Sequence, residues 1–287
     1  MTPPAQSDGF GPTVSSAWLR ENLDKADVMV ADVRWYLDDR SGRDAYEAGH
    51  IPGAVFVDLD TDLAAAPSFA GGRHPLPSPD DFAGAMSRLG ISDTDRVVAY
   101  DDVGGAIAAR MWWMLDLVGV PAAVLDGGIG RWDSVLSTDT HVGGPGRFES
   151  RAWPMDRIVS ADQLDSLLDE ALVLDARDAE RFAQGSAIDP RPGHVPGARS
   201  APFAGNLADG SMRSPSELRR RYEALGAGGR PVIAYCGSGV TACHDLLALR
   251  RAGLSDGRLF VGSWSAWGAD PDRPTETGPD LGPGSEG

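Results

Sequence analysis

Gly49-His50-Ile51-Pro52-Gly53-Ala54 returns 144 residues later as Gly193-His194-Val195-Pro196-Gly197-Ala198. Working outward, each copy is preceded by an apolar run ending in Asp-x-Arg, VMVADVR at 28–34 and LVLDAR at 172–177. Each is followed by a Ser-Pro helix start, SPDDFAGAMSRLG at 78–90 and SPSELRRRYEALG at 214–226. RVVAYDD at 96–102 then answers PVIAYCG at 231–237, and LDGGIGRW at 125–132 answers FVGSWSAW at 260–267. Matches in one fixed order make the chain a tandem duplication of a unit of roughly 120 residues. Between the Gly-His-x-Pro-Gly-Ala motif and Ser-Pro the offset drops from 144 to 136, so the first copy carries eight residues that the second lacks. They fall within DTDLAAAPSFAGGRHPLP, residues 60–77, a stretch too irregular for helix or strand and free to reach across to the other copy.

Short apolar and β-branched runs alternate with helix patterns in each copy. That alternation predicts an α/β fold of two tandem domains, each a mainly parallel sheet with helices on both faces. Ser160 with Gln163 reads as a capping box, and Ser78-Pro79 and Ser214-Pro215 each place a cap before a proline at the first helical position. The chain therefore divides into a flexible N-terminus at 1–12, a first domain at 13–136 and a Gly- and Pro-rich linker at 137–157. A second domain follows at 158–268 and a disordered tail at 269–287.

Composition narrows the function classes. Of 287 residues, 42% are hydrophobic and 24% charged, an ordinary globular balance. No run approaches the roughly 18 apolar residues of a membrane span, and MTPPAQSDGF lacks the basic start and apolar core of a secretion signal. The net charge of −16 opposes nucleic acid and anionic membrane surfaces alike. Two cysteines cannot build a disulfide framework, which points to a reducing, cytoplasmic setting. Residues 151–287 carry 15 basic against 19 acidic side chains, residues 1–150 carry 11 against 23, so the second half is the better host for an anion.

The copies differ most where a strand passes into a helix. The second reads Cys236-Gly237-Ser238-Gly239-Val240-Thr241-Ala242-Cys243; the first reads Asp101-Asp102-Val103-Gly104-Gly105, with Asp101 opposite Cys236. A loop at the C-terminal end of a parallel strand is where open α/β sheets place their ligands. Glycines let its N–H groups turn inward as an anion nest, and the next helix adds its positive end. Such surroundings favour thiolate over thiol. A free cysteine is otherwise often a small core residue, and that reading is kept for Cys243, two helical turns on.

This loop, the twin Gly-His-x-Pro-Gly-Ala motifs and a first copy without the cysteine together resemble the tandem-domain rhodanese superfamily, over about residues 13–268. Thiosulfate-preferring members carry basic residues inside the loop, where this chain has Gly237 and Ser238, so it resembles the branch that uses mercaptopyruvate. The resemblance implies that Cys236 takes a sulfur atom as a persulfide, releasing pyruvate, and passes it to a thiol such as thioredoxin or a small thiol, or to cyanide. It implies a catalytic relay of Ser238, His74 and Asp60 beside Cys236, with the last two supplied by the first domain. Arginine reads a carboxylate bidentately, and the resemblance assigns Arg181 and Arg191 to the anionic donor, with Gly237, Gly239, Val240 and Thr241 around it. No cofactor and no metal are expected. Arg34 and Arg177, like His50 and His194, occur in both copies and read as structural.

Other chemistries fit less well. A cysteine phosphatase needs an arginine six residues after its cysteine, and that position is Ala242. Zinc-ligand spacings of Cys and His are absent, and Gly104-Gly105 and Gly127-Gly128 do not complete a dinucleotide fingerprint. Two alternatives stay open: a thiosulfate sulfurtransferase, and a persulfide relay serving a protein partner. Trp264 is a candidate lining residue, whereas Trp267, matched by Trp132 in the first copy, reads as core.

Overall fold

The computed structural model describes residues 9–139, 143–254 and 256–280. Most of the expected flexible N-terminus, residues 1–8, and the last part of the expected tail, 281–287, lie outside the described residues. The chain divides into two compact units: Met1–Ala64, Pro77–Trp153 and Asp209–Met212 form the first; Ala65–Leu76, Pro154–Ala208 and Arg213–Gly287 form the second.

The first unit holds strands β1 (Thr13–Val14), β2 (Val28–Asp32), β3 (Val55–Phe56), β4 (Arg96–Tyr100) and β5 (Ala122–Leu125) in the order β1-β5-β4-β2-β3. All neighbours run parallel, with Ala31 opposite Val55 on one side and Ala99 on the other. Parallel strands buried on both faces must be apolar nearly throughout, which is why VMVAD and RVVAY carry so little polar alternation. Helices α1 (Ser16–Asn22), α2 (Gly42–Ala48), α3 (Leu59–Asp62), α4 (Pro79–Arg88) and α5 (Ala108–Leu117) cover the sheet. Ser15, Ser41, Asp58 and Ser78 cap the first four by accepting N–H groups of the opening turn.

The second unit repeats the plan. Strands β6 (Ile158–Val159), β7 (Leu172–Asp175), β8 (Arg199–Ser200), β11 (Val232–Tyr235) and β12 (Arg258–Phe260) lie in the order β6-β12-β11-β7-β8, again all parallel. The short β9 (Leu207–Ala208) and β10 (Ser211–Met212) stand outside this sheet. Helices α6 (Ala161–Leu167), α7 (Ala179–Gln184), α8 (Pro215–Ala224), α9 (Ala242–Arg251) and α10 (Ser263–Trp267) complete it. The Ser160–Gln163 capping box opens α6, and Ser214 with Glu217 forms a second one on α8.

Both units close their Gly-His-x-Pro-Gly-Ala turn with the same buried device. Arg34 makes a bidentate pair with Asp32 and donates to Gly49 O at 2.8 Å; Arg177 pairs with Asp175 and donates to Gly193 O at 2.9 Å. Tyr100 and Tyr235 accept the N–H groups of Ile51 and Val195 at 3.1 Å. His50 stacks on Tyr46 and His194 on Phe182, each with Nδ1 on a helix carbonyl. Duplicated residues thus serve the turn in both units.

Three boundary expectations change. Residues 65–76, assigned to the first domain, pack within the second unit. Part of the expected linker is core of the first unit: Phe148 meets Phe82 edge-on at 5.6 Å, and Trp153 packs on Phe82 while its Nε1 donates to Pro77 O. The expected disordered tail is ordered over 269–280, where Glu276 pairs with His194 in an antiparallel bridge and Asp280 takes Arg199. Composition rich in Pro, Gly and acid hid these contacts because they rest on backbone groups and two well-placed carboxylates rather than on apolar area.

Candidate active site

Strand β11 ends at Tyr235, and the chain turns through residues 236–241 into α9. The Cys236 side chain is buried, and its Sγ accepts the Gly239 N–H at 3.1 Å. The loop is held from beneath by the start of α10: Ser263 Oγ accepts Cys236 N–H, and the N–H groups of Trp264 and Ser265 donate to the carbonyls of Cys236 and Gly237 at 2.9 Å. Gly239 sits at φ +80°, a left-handed conformation that turns its N–H toward the sulfur. The thiol of Cys243, the second residue of α9, lies 3.4 Å from Gly239 O.

The first unit shows what this loop is built to hold. Asp101, aligned with Cys236, is fully buried and accepts four backbone N–H groups at 2.8–2.9 Å, from Val103, Gly105, Ile107 and Ala108. Burial pushes its carboxyl above the usual range, and the four N–H groups work against that rise. The first loop is an anion nest filled by its own side chain. In the second unit the carboxylate is replaced by a sulfur that takes one N–H.

Residues 65–76 bring two side chains to this loop. Ser68 and Gly72 exchange backbone hydrogen bonds, making a tight hairpin that aims Arg73 and His74. Gly72 lies at φ +72° with its backbone pressed on Gly262, where any Cβ would overlap the Gly262 carbonyl oxygen. Arg73 N–H donates to Ser265 Oγ at 3.0 Å, fixing the hairpin to α10. His74 Nδ1 then lies 2.8 Å from Ser238 Oγ, and both side chains are buried.

Two guanidinium groups converge over the loop. A Cβ placed on Gly237 would stand 2.9 Å from the Nη2 atoms of both Arg73 and Arg181. Arg181 is oriented by Asp189 through Nη2 at 2.6 Å and Nε at 3.1 Å, and Ser186 supports the same carboxylate. Burial raises Asp189, but the hydrogen bonds from Arg181 and Ser186 outweigh it and leave the carboxyl below its usual value. Arg73 is pushed below its usual value by burial and then by the neighbouring Arg181 charge. Two cations kept close together, only Arg181 of the two being hydrogen-bonded to Asp189, form a receptor for an added anion.

Cys236, Ser238, His74 and Arg181 are thus brought together, with Gly237, Gly239, Val240 and Thr241 forming the loop itself. Asp60 is placed on α3 of the first unit, where its Oδ2 accepts Trp35 Nε1–H at 2.8 Å. Arg191 departs from expectation. Its Nη2 is engaged by the carbonyls of Arg273 at 2.7 Å and Trp267 at 3.4 Å, which gives it a structural latch instead of a place in the pair over Gly237. Arg73 fills that place and escaped the sequence reading. Its one signal was adjacency to His74 in a segment present in a single copy. Trp264 is buried in the core rather than lining the loop.

The rhodanese-like domain model matches residues 15–134 and again 160–270. The chain belongs to the rhodanese-like domain family. A probable 3-mercaptopyruvate sulfurtransferase of Pseudomonas aeruginosa is 43% identical over 91% of this chain and 96% of that protein. The mitochondrial thiosulfate/3-mercaptopyruvate sulfurtransferase 1 of Arabidopsis thaliana is 33% identical over 93% and 78%. The crystal structure of the 3-mercaptopyruvate sulfurtransferase of Escherichia coli superposes with a TM-score of 0.80 at 32% identity, over 88% of this chain and 98% of that one. In this rhodanese-like chain the cysteine loop is the second copy's, and the first copy keeps Asp101 in its place. Among the described residues no helix is long and apolar enough to cross a membrane, and no group of three potential metal ligands forms.

Proposed function

We propose that the chain is a sulfurtransferase that takes sulfur from 3-mercaptopyruvate onto Cys236 and hands it to a thiol acceptor. The observation that carries this reading is the pair of guanidinium groups of Arg73 and Arg181 poised over Gly237, one residue from the sulfur nucleophile. An anionic 2-oxo acid fits that pair through its carboxylate. The similarity to sulfurtransferases of both donor classes supports the reaction class.

The residues account for each step. Cys236 thiolate attacks the donor sulfur; the S–S bond forms as the donor C–S bond breaks, and the electron pair leaves as pyruvate enolate. The proton that the enolate carbon needs is the one carried by the donor thiol, and the Ser238–His74 hydrogen bond is placed to relay it. Asp60 takes the third relay place by resemblance. The product is Cys236–S–S⁻ and pyruvate. Its outer sulfur stands two bonds from Cβ, as the Asp101 carboxylate oxygens do, and so extends toward the loop N–H groups that correspond to those gripping Asp101. An acceptor thiol, thioredoxin or a smaller one, or cyanide then removes that sulfur and restores the thiolate. Cys236 and Cys243, both thiols outside any disulfide, suit a reducing, cytoplasmic setting.

Steady-state kcat/KM for 3-mercaptopyruvate and for thiosulfate, measured side by side, tests the donor assignment. A preference of roughly 100-fold for mercaptopyruvate is expected from the uncharged loop and the carboxylate clamp; a preference for thiosulfate would hand the site to the alternative donor. Replacing Arg73 or Arg181 by alanine removes one charge-assisted contact. KM for mercaptopyruvate should then rise roughly 10- to 100-fold with a smaller change in kcat. Removing the relay by Ser238→Ala or His74→Ala should instead lower kcat by about 100-fold or more.

A further inference from the structure

In the second unit, α7 stops at Gln184, eight residues before the turn that begins at Gly193; in the first, α2 runs to Ala48, directly before Gly49. The loop 185–192, which follows the helix here where the first copy has its irregular stretch before it, carries Asp189, and Asp189 is what orients Arg181. Both ends of that loop are tied to the last described stretch of chain. At its start, Gly278 N–H donates to Ala183 O at 2.9 Å. At its end, Arg191 donates to Arg273 O, and His194 exchanges two backbone hydrogen bonds with Glu276. Glu276 also takes the Gly197 N–H through its carboxylate. The stretch is anchored further along by Asp280 on Arg199 and Ser200, and at its own start by Trp267 Nε1 on Pro274 O and by Arg273 on Asp162.

The first unit provides an internal comparison. There His50 makes the same antiparallel bridge with Ser137, so a following segment closes the turn in both copies. Only in the second copy does that segment also hold a loop bearing a charged contact to the site. We infer that residues 269–280 are a positioning strap: they clamp loop 185–192 at both ends, and through Asp189 they set the Arg181 guanidinium over Gly237. The inference deepens the proposed donor reading and rests on it for the identity of the anion.

The test compares the intact chain with a chain ending at Gly268 and with Glu276→Pro, which deletes one bridge N–H and keeps the full length. Hydrogen exchange is followed in 185–192 and in 236–241, and pyruvate binding is measured by calorimetry on a Cys236→Ser background. Exchange in 185–192 should quicken roughly tenfold while 236–241 stays protected. Pyruvate affinity should fall roughly tenfold. Discharge of a preformed Cys236 persulfide to a small thiol should stay within about twofold. Unchanged exchange in 185–192 together with unchanged pyruvate affinity would overturn the strap. If the intact chain neither binds pyruvate nor uses mercaptopyruvate, yet 185–192 still opens in the variants, the donor reading fails and the strap stands.

Discussion

Cys236→Ser should abolish sulfur transfer, lowering kcat with 3-mercaptopyruvate by about 10⁴-fold or more. The physical reason is specific to the atom. A serine hydroxyl at this position meets the same Gly239 N–H, yet it is neither ionised near neutral pH nor able to carry a transferable sulfur. The fold should survive, because the loop is pinned by backbone bonds to α10 and not by the sulfur. Pyruvate affinity should survive too, because Arg73 and Arg181 are untouched. Cys243→Ser gives the contrast: its thiol lies against the Gly239 carbonyl behind the loop and carries no sulfur in the proposed reaction, so activity should persist. Loss of turnover in Cys243→Ser with retention in Cys236→Ser would reverse the assignment of the nucleophile.

The second large effect concerns stability. Asp245 lies on α9, the helix that the cysteine loop opens, and is fully buried. Its Oδ1 accepts Asn206 Nδ2–H at 2.8 Å and Tyr222 OH at 3.0 Å, while Oδ2 has no hydrogen-bond partner among the described residues. Burial pushes its carboxyl from 3.8 up to about 7, against the pull of Asn206, Arg221 and Tyr222. Between those values the folded chain holds a proton that the unfolded chain has released. Stability from this group is therefore fully present below about pH 3.8 and is lost as pH rises to about 7. The shift corresponds to roughly 4 kcal/mol across the window. Asp245→Asn removes the titration, so the difference between wild-type and variant urea midpoints should change steadily between pH 4 and 7 and flatten above it. Parallel profiles over that range would show that Asp245 does not titrate there.

Much of this architecture was legible in the sequence because it was written twice. The repeated turn, the repeated Asp-x-Arg and the repeated Ser-Pro starts revealed two α/β units, and the structure returns the same parallel strand order in each. Duplication also separated turn-holding residues, Arg34 with Arg177 and His50 with His194, from the unmatched Cys236. Legibility ended where contacts are not periodic. The stretch 60–77 reads as bearing an insertion free to reach across, yet Arg73 within it goes unassigned because nothing in spacing shows which way a hairpin aims its side chains. The family resemblance assigns Arg191 to the donor, whereas two backbone carbonyls take its guanidinium. The ordered tail was missed for a related reason: a strap held by main-chain bonds and carboxylates carries no hydrophobic pattern to read.

The most direct measurement is a single turnover without acceptor, with pyruvate release and intact protein mass followed together. The account predicts one pyruvate per chain and a mass gain of one sulfur atom, located on the peptide containing Cys236 and removed by an added thiol. Pyruvate release with no sulfur retained by the protein, or sulfur retained elsewhere than Cys236, would contradict it.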